Sequence, residues 1–96
     1  MTAAAVTHNE QQHRFELQLA EGLALLEYEL RENDLVLFHT EVPPARQGQG
    51  IGSQLVKAAL LHAKKRSVRV IPVCPFVLSY LRDHPEYDEI TKSESA

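Results

Sequence analysis

Alternating apolar and polar side chains indicate strands in the first half of the chain. Residues 14–19 alternate strictly, which is typical of a half-buried strand. Residues 23–31 and 35–42 follow after short polar turns and predict two more strands, although the stretch 23–27 would also fit a helix. Three strands joined by short turns predict an antiparallel meander.

A change of period indicates a helix in the second half, and a strand follows it. The helical spacing over 51–66 is carried by apolar side chains at Ile51, Leu55, Val56, Ala59, Leu60 and Ala63. Residues 68–73 are rich in β-branched side chains and predict a fourth strand, so strand, helix and strand form a right-handed crossover between parallel neighbours. Pro72 lacks an N–H group and indicates an edge, a bulge or a point where two strands part.

The ends of the chain complete the predicted architecture. Residues 75–83 predict a short helix, and residues 86–90 predict a last short element. We expect residues 1–12, which include His8, and residues 91–96 to be flexible. Together the elements predict one α/β domain over residues 1–96, with a mixed twisted sheet and two main helices.

Composition narrows the function classes. The formal net charge of -3 argues against a broad nucleic-acid surface, and the basic run at 64–66 suits the carboxyl end of the predicted helix. A single cysteine excludes an internal disulfide and fits a reducing compartment. The chain shows no signal-peptide pattern and no membrane-spanning apolar run. We therefore expect a cytoplasmic protein with no membrane partner.

The most informative stretch is the glycine-rich loop at 46–53, between the third predicted strand and the long helix. Gly48, Gly50 and Gly52 stand at alternate positions and leave the backbone open to close approach by a ligand. The start of a helix adds unpaired N–H groups and the positive end of a dipole. These features predict an anion site, most often one for phosphate.

Two common phosphate motifs do not fit this loop. A P-loop needs Lys followed by Ser or Thr after its last glycine, and the chain has Ser53 and Gln54 after Gly52. A dinucleotide fingerprint, counted from Gly48, needs a third glycine or alanine where Ser53 stands. The acidic residue expected about 20 positions on is also missing.

What remains is Gln47-x-x-Gly50-x-Gly52, preceded by Arg46, between a strand and an amphipathic helix. This pattern resembles the acyl-CoA pyrophosphate loop of the GNAT superfamily of N-acetyltransferases. The run 73–77 with its Cys-Pro-Phe motif, Tyr80, and the run 84–87 are similar to those of a small GNAT-like family of single-domain proteins of about this length. The resemblance covers roughly residues 13–90.

The resemblance implies a truncated GNAT-like fold and an acetyl-CoA cofactor. The pyrophosphate would lie on the loop, and the pantetheine arm would lie where the strand before the loop parts from the next strand. The residues implied to contact the cofactor are Glu41, Val42, Arg46, Gln47, Gly48, Gln49, Gly50, Ile51, Gly52, Ser53, Cys74, Phe76 and Tyr80.

Four residues are candidates for catalysis. Strand alternation predicts His39 and Glu41 on one face, together with Leu35 and Leu37, where either could act as general base or be a plain surface residue. Cys74 precedes a predicted helix, whose dipole favours a thiolate that could accept the acetyl group. It would otherwise be a buried apolar residue or part of the wall of the acetyl pocket.

Tyr80 shares a helix face with Phe76. The resemblance implies that a tyrosine near this place protonates the leaving thiolate, although a core aromatic is equally consistent with its position. We expect His62 on the long helix to be exposed. No Cys or His pair has the spacing of metal ligands, so no metal is expected.

The sequence thus predicts an acetyl-CoA-dependent N-acetyltransferase that acts by direct attack of an amine. The acceptor amine, on a small molecule or a protein, is not identified. The alternative is a CoA-binding module without catalysis, because the chain lacks the early helices that usually shape a GNAT acceptor pocket. We expect a monomer or a weak homodimer.

Overall fold

The structure of the protein, a computed structural model, describes residues 5–91. The strands are β1 (Thr7–Asn9), β2 (Arg14–Leu19), β3 (Gly22–Arg31), β4 (Asp34–Glu41) and β5 (Arg69–Pro72). The helices are α1 (Ile51–Arg66) and α2 (Pro75–Arg82), with 3-10 helices at Pro44–Arg46 and Pro85–Ile90. Among the described residues, no helix combines the length and apolar character needed to cross a membrane.

All five strands form one mixed sheet in the order β1-β2-β3-β4-β5. Neighbouring strands are antiparallel from β1 to β4, while β4 and β5 are parallel. Helix α1 supplies the crossover between the two parallel strands. The predicted α/β fold, with its meander followed by strand, helix and strand, is therefore confirmed.

The expectation that residues 1–12 are flexible is wrong for residues 7–9. They form β1, which pairs with β2 through Thr7 opposite Glu16 and Asn9 opposite Arg14. The sequence gives little sign of a strand of three residues, because its attachment depends on side chains from other elements. Residues 1–4 and 92–96 lie outside the described residues. Thr91 bridges to Val70 and donates its hydroxyl to the carbonyl of Tyr87, so it does not fit the predicted flexible tail.

One face of the sheet carries the core. Alternate residues of β2, β3 and β4 pack there against α1, α2 and the second 3-10 helix. The fully buried side chains with the largest volumes are Leu17, Leu26, Leu35, Leu37, Leu55, Leu60, Val56, Val70 and Val77. Removing such area from water is the main stabilising term for a domain of this size.

None of the described helices covers the opposite face of the sheet. Leu25 and Val36 are buried on that face and lie outside the core cluster. The remaining positions on it are partly or fully exposed. We call this side of the sheet, which includes Leu25 and Val36, the bare face.

A β-bulge in β4 changes which residues face the core. Tyr28 of β3 pairs with Leu37, yet the preceding Glu27 pairs with His39, so Phe38 is an extra residue in β4. Leu37 faces the helices, and after the bulge Thr40 takes that side because it pairs with the buried Leu26.

Histidine side chains hold β1 against the rest of the domain. The His8 ring stacks on Phe15 with ring centroids 4.3 Å apart and meets the edge of His62 at 4.4 Å. Its Nε2 atom shares a hydrogen bond of 2.5 Å with the Tyr28 hydroxyl. Both expectations for these histidines are therefore wrong: His8 belongs to a strand, and His62 is half-buried.

Burial is the main reason why the pKa values of His8 and His62 lie below their ordinary value of 6.5. Arg66 lowers both further, while Glu10 opposes the shift. The fold thus favours the neutral imidazoles. As pH falls below 6.5 toward the lowered values, the unfolded chain binds protons that the folded chain does not, and stability is lost over that window.

We predict that His62→Gln flattens this acid dependence. Free energies of unfolding from urea titrations at several pH values between 7.5 and 5 would show up to about one proton fewer taken up on unfolding than in the wild type. His39→Gln, outside the cluster, controls for the loss of one imidazole. An unchanged slope in His62→Gln would contradict the role assigned to this ring.

Candidate functional site

The glycine loop leaves the start of α1 open. Gly50 is the N-cap residue, with φ of 81°, and Gly48 has φ of 80°. Both values lie in the left-handed region, which residues with a Cβ atom rarely adopt. No side chain caps α1, and its first turn contains no acidic residue. The first N–H groups of the helix are therefore left without a side-chain cap.

A groove of about 500 Å³ lies against this helix start. It is lined by Thr40, Val42, Arg46, Gln47, Gly48, Gly50, Ile51, Gly52, Ser53 and Phe76. All of these except Thr40 were predicted from the sequence as cofactor contacts. Glu41, Gln49, Cys74 and Tyr80, predicted with them, do not line the groove.

Side-chain hydrogen bonds hold the glycine loop in place. Arg46 donates to Gln49 Oε1 at 2.8 Å and to Glu21 Oε1 at 3.0 Å. That hydrogen bond from Arg46 is the main reason why the pKa of the Glu21 carboxyl is lowered. Gln47 Nε2 donates to the carbonyl of Val42 at 3.3 Å. Gln49 thus supports Arg46 from the side, while Arg46 still lines the groove.

Strands β4 and β5 part beside the groove. Their pairing ends where Leu37 meets Pro72, and the Leu37 carbonyl then accepts the N–H groups of both Val73 and Cys74 at 3.0 Å. Beyond this point β4 keeps β3 on one side and has no described strand on the other. The sequence left three alternatives open for Pro72, and the structure fits two of them. Pro72 ends the edge strand β5, and it lies where the pairing of β4 with β5 stops.

Cys74 lies at the bottom of this opening. It is the N-cap residue of α2 and only 6% exposed, and its Sγ atom is 3.3 Å from Thr40 Oγ1. The buried setting matches one of the alternatives left open for this cysteine. Thr40 was missed as a site residue because uninterrupted alternation groups it with Phe38, and a one-residue bulge leaves no clear trace in the sequence.

His39 and Glu41 form an ion pair, with Nε2 and Oε2 2.7 Å apart. They pair with Glu27 and Leu25 and so lie on the bare face, opposite Leu35 and Leu37. The prediction that all four residues share one face is wrong, since the bulge at Phe38 reverses the alternation. The pair therefore lies across the sheet from the groove.

Phe76 and Tyr80 take different positions on α2. The Phe76 ring is 41% exposed and lies against Gly52, where an added Cβ would be 2.7 Å from the ring. Tyr80 is half-buried and stacks on His84 at 4.0 Å. Burial, followed by the nearby Tyr87 and Glu86, raises the pKa of Tyr80. Among residues 5–91, no group of three or more potential ligand side chains is placed to hold a metal ion.

The geometry combines an uncapped helix start with two parallel strands that part beside it, which is the arrangement that the sequence resemblance implied. The family model of the GCN5-related N-acetyltransferases matches residues 14–90. The chain belongs to this family.

Relatives and a solved structure support the same family. The protein NATD1 of Mus musculus is 34% identical over 83 residues, which cover 83% of this chain and 76% of the relative. The NATD1 of Danio rerio is 29% identical over 93 residues, covering 92% and 84%. The NMR structure of a candidate GCN5-like N-acetyltransferase from Staphylococcus aureus superposes with a TM-score of 0.76 at 25% identity, covering 97% of this chain and 92% of that one.

We predict that Gly52→Ala displaces the Phe76 ring without unfolding the domain. Phe76 is 41% exposed and its ring can shift toward solvent, so the cost in free energy of unfolding should stay within about 1–3 kcal/mol, as for other overpacked sites. The double variant Gly52→Ala with Phe76→Leu should recover most of that loss in a double-mutant cycle by urea denaturation. Strict additivity of the two changes would contradict the contact.

Proposed function

We propose that this protein is an acetyl-CoA-dependent N-acetyltransferase. The observation that carries the proposal is the uncapped start of α1 beside the point where β4 and β5 part. One feature suits a pyrophosphate and the other suits an extended arm with a thioester at its end. The two adjoin along the same groove, which runs from Ser53 to Thr40.

The pyrophosphate would lie on the N–H groups of the glycine loop and the first turn of α1. Helix dipole and unpaired donors both favour a negative charge there. Arg46 adds a guanidinium group at the groove edge, held by Glu21 and Gln49. Its bond to Glu21 balances part of that charge, so the backbone donors carry most of the phosphate contact.

The pantetheine arm would follow β4 after Leu37. Strand residues there lack a partner on the β5 side, and pantetheine contains amide groups that can pair with such an edge. Glu41 and Val42 would contribute backbone groups to this pairing. The thioester would then reach the opening between β4 and β5, close to Cys74 and Thr40.

Transfer would proceed by direct attack. The nitrogen of a neutral amine forms a bond to the thioester carbonyl carbon, and the carbon–sulfur bond of acetyl-CoA breaks. Free backbone N–H groups at the opening would stabilise the oxyanion. The amine proton passes to Glu41 or His39, directly or through water, and the CoA thiolate leaves and takes up a proton.

Cys74 and Tyr80 are the two candidates for assisting the leaving thiolate. Cys74 is buried against Thr40 near the proposed thioester, which suits a wall of the acetyl pocket. Tyr80 stacks on His84, outside the groove lining, so its contact with the cofactor stays a prediction. We assign Cys74 a contact role without a covalent intermediate.

A CoA-binding module without catalysis is the second candidate function. The bare face favours it, because no described helix walls an acceptor pocket there. Acetyl-CoA binding with no release of CoA above the uncatalysed rate, across a library of peptide amines, would leave this second function.

We predict that Ser53→Asp separates stability from binding. A carboxylate in the first turn of α1 should stabilise the helix by about 0.3–1 kcal/mol through the dipole. The same charge should repel the pyrophosphate and weaken acetyl-CoA binding at least about tenfold, measured by calorimetry. Ser53→Asn is the neutral control of similar size. Equal affinities for the Asp and Asn variants would place the phosphates elsewhere, and no wild-type binding at millimolar acetyl-CoA would reject both functions.

We predict that the double variant His39→Gln, Glu41→Gln lowers kcat by about 10²–10⁴-fold, the usual contribution of a general base. The Kd for acetyl-CoA should not change, because the pair lies across the sheet from the groove. CoA release from acetyl-CoA with an amine acceptor measures the rate.

Cys74→Ala serves as the companion test of a covalent route. It should retain turnover, and intact mass of the wild type after acetyl-CoA treatment should show no stable acetyl adduct. Loss of all turnover in Cys74→Ala, together with an acetyl adduct on wild-type Cys74, would show that transfer passes through the cysteine.

A further inference from the structure

The opening between β4 and β5 has two sides with different chemistry. The groove side carries the glycine loop, Thr40 and Phe76. The bare-face side carries the His39–Glu41 pair, and the strand register places Phe38 and Val73 where β4 and β5 part. An amine that gives its proton to that pair must therefore arrive across the bare face.

Phe38 and Val73 border the opening on the bare face. Val73 donates its N–H to the Leu37 carbonyl at 3.0 Å, which places it beside Phe38, the bulge residue. Leu37 and Pro72, which precede them, are both buried and paired with each other. Phe38 is 45% exposed and Val73 is 51% exposed. What distinguishes them from the other exposed apolar residues, such as Leu30 and Leu61, is that the register places the two side by side where the strands part, so they form one apolar surface there.

The bare face suits a polypeptide better than a small amine. Small-molecule sites are concave and bury most of the ligand, whereas no described helix forms a wall here. A polypeptide gains its contacts by lying over the sheet. Charge supports a cationic chain end, because Glu27 pairs with His39 in the strand register and makes no ion pair within residues 5–91.

The charged groups around the proposed base indicate the kind of amine that can react there. The other ionisable groups in the bare-face strands are Arg14, Glu16, Glu29, Arg31, Asp34 and Arg69. Arg14 forms an ion pair with Glu16, and Arg31 forms one with Glu29. Neither arginine therefore supplies an unbalanced positive charge that would lower the pKa of a bound amine. The nearby Glu27 and Glu41 would instead keep an amine protonated.

An amine that attacks here must therefore be partly neutral on its own. An α-amino group has a pKa near 7.7–8.0 and a lysine near 10.4, so near neutral pH the neutral fraction differs by roughly 300-fold. The α-amino group meets the requirement, and lysine does not.

We infer that the acceptor is the α-amino group of a polypeptide whose first residue is apolar, and that Phe38 and Val73 select that side chain. The inference rests on the proposed transferase function and names its substrate class. The first side chain would lie on the Phe38 ring while the amine faces the His39–Glu41 pair.

Three ten-residue peptides test this inference. Two differ only in the first residue, Leu or Gly, and have free α-amines, while the third is N-terminally blocked and carries one internal lysine. With saturating acetyl-CoA, we expect kcat/KM for the Leu peptide to exceed that for the Gly peptide by about tenfold or more, the usual value of one apolar contact. The lysine peptide should be the poorest acceptor.

Phe38→Ala should remove most of the preference for Leu, chiefly through KM, while the Kd for acetyl-CoA stays unchanged. Leu61→Ala, an exposed leucine on α1, is the matched control and should keep the preference. Equal use of the Leu and Gly peptides, or faster use of the lysine peptide, would overturn the inference.

Binding is measured separately by amide shifts of the acetyl-CoA-loaded protein. Shifts of Phe38 and Val73 on adding the Leu peptide, with no acetylation, would support the surface and reject transfer. No shifts on the bare face would overturn the surface, whatever the acetyl-CoA titration shows. The titration judges the cofactor site alone.

Discussion

The carbonyl of Leu37 is the point on which the site depends. It accepts two N–H groups, from Val73 and Cys74, and it is the last backbone link between β4 and the segment that follows β5. A parallel pair normally continues its evenly spaced bonds along both strands. Here β5 ends at a proline, and the chain turns into α2, so the far half of β4 is left with a free edge. The groove, the buried cysteine and the opening through the sheet all follow from that single interruption.

The bulge at Phe38 gives this opening two different linings. Without the bulge, uninterrupted alternation through Phe38 would place His39 and Glu41 on the buried face with Leu35 and Leu37, where an ion pair would be costly to remove from water. With it, the ionisable pair faces solvent, and Thr40 turns inward to meet Cys74. One inserted residue thus places the His39–Glu41 pair on the other side of the sheet from the groove, and it also leaves the Phe38 ring exposed.

Much of this architecture is predictable from the sequence, and the failures have physical causes. Strict periodicity indicated β2 and α1, and the glycine spacing indicated the loop, because backbone requirements there are local. The bulge and β1 were missed because both depend on partners distant in the chain: the register with Glu27 sets the bulge, and the rings of Phe15 and His62 hold His8. Because the bulge was missed, Thr40 was not recognised as a groove residue, and His39 was predicted on the wrong face of the sheet. Both errors arise because alternation assumes an uninterrupted strand.

The passage through the sheet has a consequence for the order of events. A ligand in the groove and a ligand on the bare face lie on opposite sides of one layer of backbone, so neither occupies volume that the other needs. Under the proposed function, both ligands could be present at once, and either could leave while the other stays. Such a protein would follow a sequential kinetic scheme through a ternary complex, in which occupation of one side does not block access to the other.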